Sequence, residues 1–152
     1  MLHNLTLSLF VVVAPSFAFA ADDAKEEVKK LSGVWKLSSA EIDGNKYDAE
    51  KFGISTIVIA DGKLVFNDGS KVVVTYAFKV DPTKKPAAMD CEKDNESAPL
   101  PCIYALNGDD LKICMPLLPK KGEGAKVEIK RPESFATKGI PVMTMVLKRE
   151  KK

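Results

Sequence analysis

The chain has 152 residues, 23 Lys plus Arg against 21 Asp plus Glu, and a hydrophobic fraction of 45%. That length suits one compact domain and excludes a large multidomain enzyme. A formal net charge of +2 excludes nucleic-acid binding by bulk charge, which needs a concentrated excess of cations to neutralise phosphates.

Residues 1–20 read as an export leader. Leu5 to Val13 form an apolar run broken by Pro15, and Ala18-Phe19-Ala20 places small residues at the alternate positions that signal peptidase requires. The charges of Asp22, Asp23, Lys25, Glu26 and Glu27 arrive too early for a membrane span of about 20 apolar residues. Cleavage after Ala20 leaves 132 residues carrying all 44 formal charges and no histidine, since His3 is the only one. Such a chain cannot build a Ser-His or Cys-His pair, use His as a general base, or bind zinc through imidazole. The expected product is an exported protein with no transmembrane segment, no cofactor, no metal site and no catalytic residues.

From Asp22 to Leu31 the pattern is helical, with Ala24, Val28 and Leu31 on one face and Lys29 and Lys30 closing the segment. After Gly33 the period changes to two. In Lys71 to Asp81, Val72, Val74, Tyr76, Phe78 and Val80 alternate against Val73, Thr75, Ala77 and Lys79. Shorter runs predict strands at Val34–Asp43, Ser55–Ala60, Lys63–Asn67, Ala87–Glu92, Cys102–Asn107, Leu111–Met115 and Val142–Arg149. Asp61-Gly62, Asp68-Gly69, Asp81-Pro82 and Asn107-Gly108 supply the turns between them. About eight strands without intervening helices predict an antiparallel meander that stacks as two sheets or closes into a barrel, closure removing exposed edges. Pro116 to Pro132 breaks the rhythm and predicts a long mobile loop near the rim.

Gly33-Val34-Trp35, at the start of the first strand, resembles the Gly-x-Trp signature of lipocalins and other calycins. An ordered set of motifs is more specific: Glu41-Ile42-Asp43-Gly44, Asp81-Pro82-Thr83-Lys84-Lys85-Pro86, Ile103-Tyr104-Ala105-Leu106-Asn107-Gly108-Asp109, Leu111-Lys112-Ile113-Cys114, Arg131-Pro132-Glu133-Ser134-Phe135 and Leu147-Lys148-Arg149. Over Leu31 to Arg149 this set is similar to a lipocalin-like family of uncharacterised bacterial proteins expanded in planctomycetes. The resemblance implies an all-β, up-and-down barrel of about eight strands over residues 33–150, preceded by a short helix over 21–32. It carries no established activity. It also implies that Trp35 closes the narrow end of the barrel and that Arg149, from the last strand, lies across its ring as a cation over a π cloud.

Three cysteines, Cys91, Cys102 and Cys114, argue for one disulfide and one leftover thiol in an exported protein. Against the family pattern, Cys91 and Cys102 stand where an aliphatic residue and a glycine are expected, and they depart together. Cys114 stands where the pattern already has Cys. The expected pair is therefore Cys91 with Cys102, and Cys102 with Cys114 is the alternative. The acidic run Asp90, Glu92, Asp94 and Glu96 has alternate spacing but lacks the glycine of a calcium loop, which leaves a solvated hairpin. Lys120, Lys121, Lys126, Lys130 and Arg131 form a basic stretch able to meet an acidic polymer, with a solvated loop as the default expectation.

Two functions fit. In one, Val72, Val74, Tyr76, Phe78, Tyr104, Leu106, Leu111, Met143, Met145 and Leu147 line a barrel that holds a small hydrophobic molecule. In the other, the same side chains fill the interior and the protein acts through its surface as an envelope or matrix interaction protein.

Overall fold

The computed structural model describes residues 18–94, 96, 98–119 and 128–152. Most of the expected leader, and Lys120, Lys121, Gly122, Glu123, Gly124 and Lys126 of the expected loop, lie outside the described residues.

Helix α1 spans Ala18–Leu31. It begins four residues before the periodicity does, because Ala18, Ala20 and Ala21 are strong helix formers that carry no face signal. Its last turn carries Lys29 and Lys30, which complement the negative end of the helix dipole. The strands follow in chain order: β1 (Gly33–Ile42), β2 (Asn45–Asp48), then a single helical turn α2 (Ala49–Phe52), β3 (Thr56–Ala60), β4 (Lys63–Asp68), β5 (Lys71–Asp81), β6 (Ala87–Lys93), β7 (Leu100–Asn107), β8 (Asp110–Pro116) and β9 (Val142–Arg149). Each pairs antiparallel with its neighbour from β3 to β9, and β1 bonds both β3 and β9. The result is a closed eight-stranded up-and-down barrel, lipocalin-like in architecture, with β2 a short spur on the outer half of β1. The spur and α2 were not legible in the sequence, since four-residue elements are too short to show a period. The start of β7 was missed because Pro101 lacks a ladder donor.

Two bulges set which side chains face inward. In β1 the pairing with β9 shifts between Leu37 and Ser39, so the inward positions change from Trp35 and Leu37 to Ala40. In β5 the pairing with β4 jumps from Val74 to Val72, leaving Val73 as the extra residue.

One end of the barrel is closed by α1 and Trp35. The indole Nε1 donates to the Leu31 carbonyl at 2.8 Å, and the ring is fully buried. Arg149, directly opposite Trp35 in the β1–β9 ladder, lays its guanidinium 4.2 Å from the ring centroid. Its Nη1 and Nη2 donate to the carbonyls of Ser32 and Lys30 at 2.7 and 2.6 Å, and its Nε lies 3.3 Å from Asp109 Oδ1. One cation thus covers the indole and caps the C-terminal carbonyls of α1, which have no partners within the helix. Gly33 makes this possible: its φ is +141°, and a Cβ there would meet Arg149 Nη1 at 2.8 Å. Replacing Trp35 with Ala should therefore cost about 3–5 kcal/mol. Urea unfolding measures it, and a loss below about 1 kcal/mol would place the indole outside the structural core.

Candidate functional site

The barrel interior is one contiguous apolar cluster fed by all eight barrel strands. Of the expected lining residues, Phe78, Tyr104, Leu111, Met145 and Leu147 are buried in it, and Val74, Tyr76, Leu106 and Met143 pack partly buried against it. Val72 is a correction. Strict alternation turns it inward, but beyond the bulge at Val73 it is 55% exposed. The cluster also contains Leu37, Ile57, Ile59, Leu64, Phe66, Met89 and Ile113. The alternation within the predicted strands pointed to several of these, and Phe66 stacks edge-on to Tyr76 with centroids 5.7 Å apart. From the far end, α2 and the segment after it add Ala49, Phe52 and Ile54.

The expected Cys91–Cys102 disulfide is not formed. All three cysteines are free and buried. The β6–β7 register pairs Met89 with Cys102 and Cys91 with Leu100, so the two cysteines are diagonal neighbours rather than directly opposite. Diagonal positions sit about 7–8 Å apart between Cα atoms, beyond the usual span of a disulfide. Their sulfurs stand 3.9 Å apart, in contact but unbonded. The alternative partner Cys114 faces the other way, into a small outer cluster with Ile103 and Val142.

That outer cluster is covered by the segment leading into β9. Phe135 packs on it, and the Phe135 carbonyl accepts from Thr144 Oγ1 at 2.9 Å. Thr137, almost fully buried, donates to Glu41 and accepts from the Gly44 amide, and Gly139 donates to Asp43. Arg131 gives Nη1 to the Cys102 carbonyl at 2.6 Å and Nη2 to Asp90 Oδ1 at 2.5 Å. Two sequence expectations change here. The end of the expected mobile loop is pinned to the wall, and Arg131 is an internal clamp rather than part of a basic patch. Lys130, in turn, lies 3.8 Å from Glu128. Asp90 is occupied by the same clamp, and Glu96 pairs with Lys93 at 3.6 Å. Among the described residues no cluster of three or more His, Cys, Asp or Glu could hold a metal, and no helix is long and apolar enough to cross a membrane.

Two recesses open on the outside. A cleft of about 760 Å³ lies between the strand exits of β8 and β9, walled by Leu117, Leu118, Ile129, Arg131, Ile140 and Val142. A shallower recess of about 400 Å³ at the closed end is bordered by Glu27, Lys30, Leu106, Asp109 and Arg149. No family model, curated protein or solved structure matches the chain. Its function therefore rests on its own residues.

Several buried groups have shifted titration. The bond with Cys91, then desolvation, raises the Cys102 thiol far above its ordinary range, and desolvation raises Cys114. Such thiols are poor nucleophiles. Burial followed by the nearby Glu27 carboxylate raises the Tyr104 phenol, whose hydroxyl lies 3.3 Å from Glu27 Oε1. The folded chain holds this proton above the pH at which the unfolded chain loses it, so stability is present below about pH 10 and falls as pH rises beyond it. Tyr104→Phe should flatten that alkaline loss, as read by urea midpoints between pH 9 and pH 11. An unchanged slope would free Tyr104 of this role.

Proposed function

We propose that the chain is an exported, non-catalytic interaction module with a lipocalin-like barrel, packed by its own side chains and meeting partners on its outer surface. The observation that carries this reading is the continuous interior cluster, in which Trp35, Phe66, Tyr104 and Met145 are fully buried, or nearly so, in one body. An eight-stranded barrel is just wide enough for side chains to fill or for one small ligand. Here a hydrophobic guest would have to displace large side chains that already pack together. The exposed surface supports the second half of the reading. Among the described residues, the large apolar side chains left exposed are Tyr47, Val72, Val73, Leu117, Leu118, Ile129 and Ile140, on or beside strand ends away from Trp35. Four of them, Leu117, Leu118, Ile129 and Ile140, wall the same cleft beside β8 and β9, and apolar surface gathered in one place marks contact with a partner more often than scattered residues do. The leader-like residues 1–20 and the family resemblance support export and the lipocalin-like assignment.

An environment-sensitive apolar fluorophore titrated into the purified protein should show no saturable interior binding, whereas Tyr76→Ala should create it by removing a ring from the packed mouth. Saturable binding by the wild type that Tyr76→Ala weakens would restore the ligand-holding reading. Export has its own check: intact-mass measurement of protein taken from its native cell should give a chain beginning at Ala21, and an intact Met1 on a cytoplasmic protein would overturn it.

A further inference from the structure

The interior near the open end is rich in sulfur, and the register explains how. Met89 on β6 is directly opposite Cys102 on β7. The β7–β8 pairing runs as far as Ile103–Cys114, so Cys102 and Met115 are the next residues of the two strands, and Met115 is itself opposite Met143 on β9. All four belong to or pack against the interior cluster, so one rung across four adjacent strands reads Met, Cys, Met, Met on the inner face. Cys91 adds a fifth sulfur 3.9 Å from that of Cys102.

We propose that this rung is a binding site for a soft monovalent metal ion, Cu(I), held by the Cys91–Cys102 pair with thioether support from Met89 and Met115. Two sulfurs each about 2.3 Å from a shared metal and separated as these are would subtend roughly 115–120° at it, the angle of a three-coordinate site. Thiolates and thioethers select Cu(I), whereas ions that seek oxygen or imidazole find neither in the rung. The buried polar residues Ser39, Thr137 and Thr144 lie outside the interior cluster. An ion of this size needs no preformed cavity, because metal–sulfur bonds replace sulfur–sulfur contacts, so the site coexists with a filled core. Binding releases both thiol protons to solvent, one from each cysteine, and the two thiolates with Cu(I) carry one net negative charge, which the Arg131 guanidinium on the Cys102 carbonyl offsets. Met143, partly buried as the second residue of β9, places the start of the row at the mouth.

The test is an anaerobic titration of the reduced full chain with Cu(I) presented by the chromophoric chelator bicinchoninate. One Cu(I) per chain should be withdrawn, with an X-ray absorption shell of sulfur alone. Cys102→Ser should weaken binding at least about tenfold, and the volume-conserving Met115→Leu should weaken it measurably while leaving the far-ultraviolet dichroism unchanged. Cys114→Ser, outside the barrel, should bind as the wild type does. Failure of the wild type to compete, equal affinity in Met115→Leu and Cys91→Ala, or a shell of nitrogen and oxygen would overturn the site. Each of those results leaves the filled-core reading intact, since that reading is judged by the fluorophore titration.

Discussion

The structure depends on a single cation placed between a ring and a helix end. Arg149 covers Trp35 from the last strand while capping the carbonyls of Lys30 and Ser32, and Asp109 steadies it from the β7–β8 turn. Through these contacts the first strand, the last strand and the helix before the barrel become one unit. Closure of the sheet brings Trp35 and Arg149 into register, and their contact then holds the seam. A cation at this position is desolvated on one side by the ring, and carbonyls and a carboxylate replace the lost water. Gly33 belongs to the same device, because any side chain there would occupy the space of the guanidinium.

A second set of ties works on the outside. Arg131, Thr137 and Gly139 fasten the segment before β9 to the β6–β7 pair and to the β1–β2 turn. These groups give the outer wall its own small apolar cluster under Phe135. Part of the outer face of β7, β8 and β9 is thereby covered, and Ile103 and Cys114 are buried although they point away from the barrel. Strands with both faces buried read as continuous apolar runs rather than as alternation. The end of β8 has this form, with Ile113, Cys114 and Met115 apolar and buried in succession.

The cysteines show how register outranks composition. The expectation of export argues for one disulfide and the family resemblance for a bond between Cys91 and Cys102, and the fold does bring their sulfurs into contact. It does so diagonally, because the connection after β6 aligns Cys91 with Leu100. A shift of two residues in that pairing would have put the cysteines directly opposite. The loop that sets the alignment carries no turn signal strong enough to reveal it, so the geometry was decided by packing.

Much of this protein was written locally. The period-two segments, the Asp-Gly and Asn-Gly turns and the lone tryptophan after a glycine point to an antiparallel barrel, since each reflects a preference of a few neighbouring residues. Phe78, Tyr104, Leu111 and Leu147 were legible as interior residues for the same reason. Val72 was not, and neither were β2, α2, the clamp by Arg131, the buried Thr137 and the sulfur rung. Each of these depends on which strand lies beside which and at what offset, and a bulge of one residue reverses every side chain beyond it. Local preference decides that a strand forms. The competition among whole-barrel packings decides which residue of that strand meets which partner.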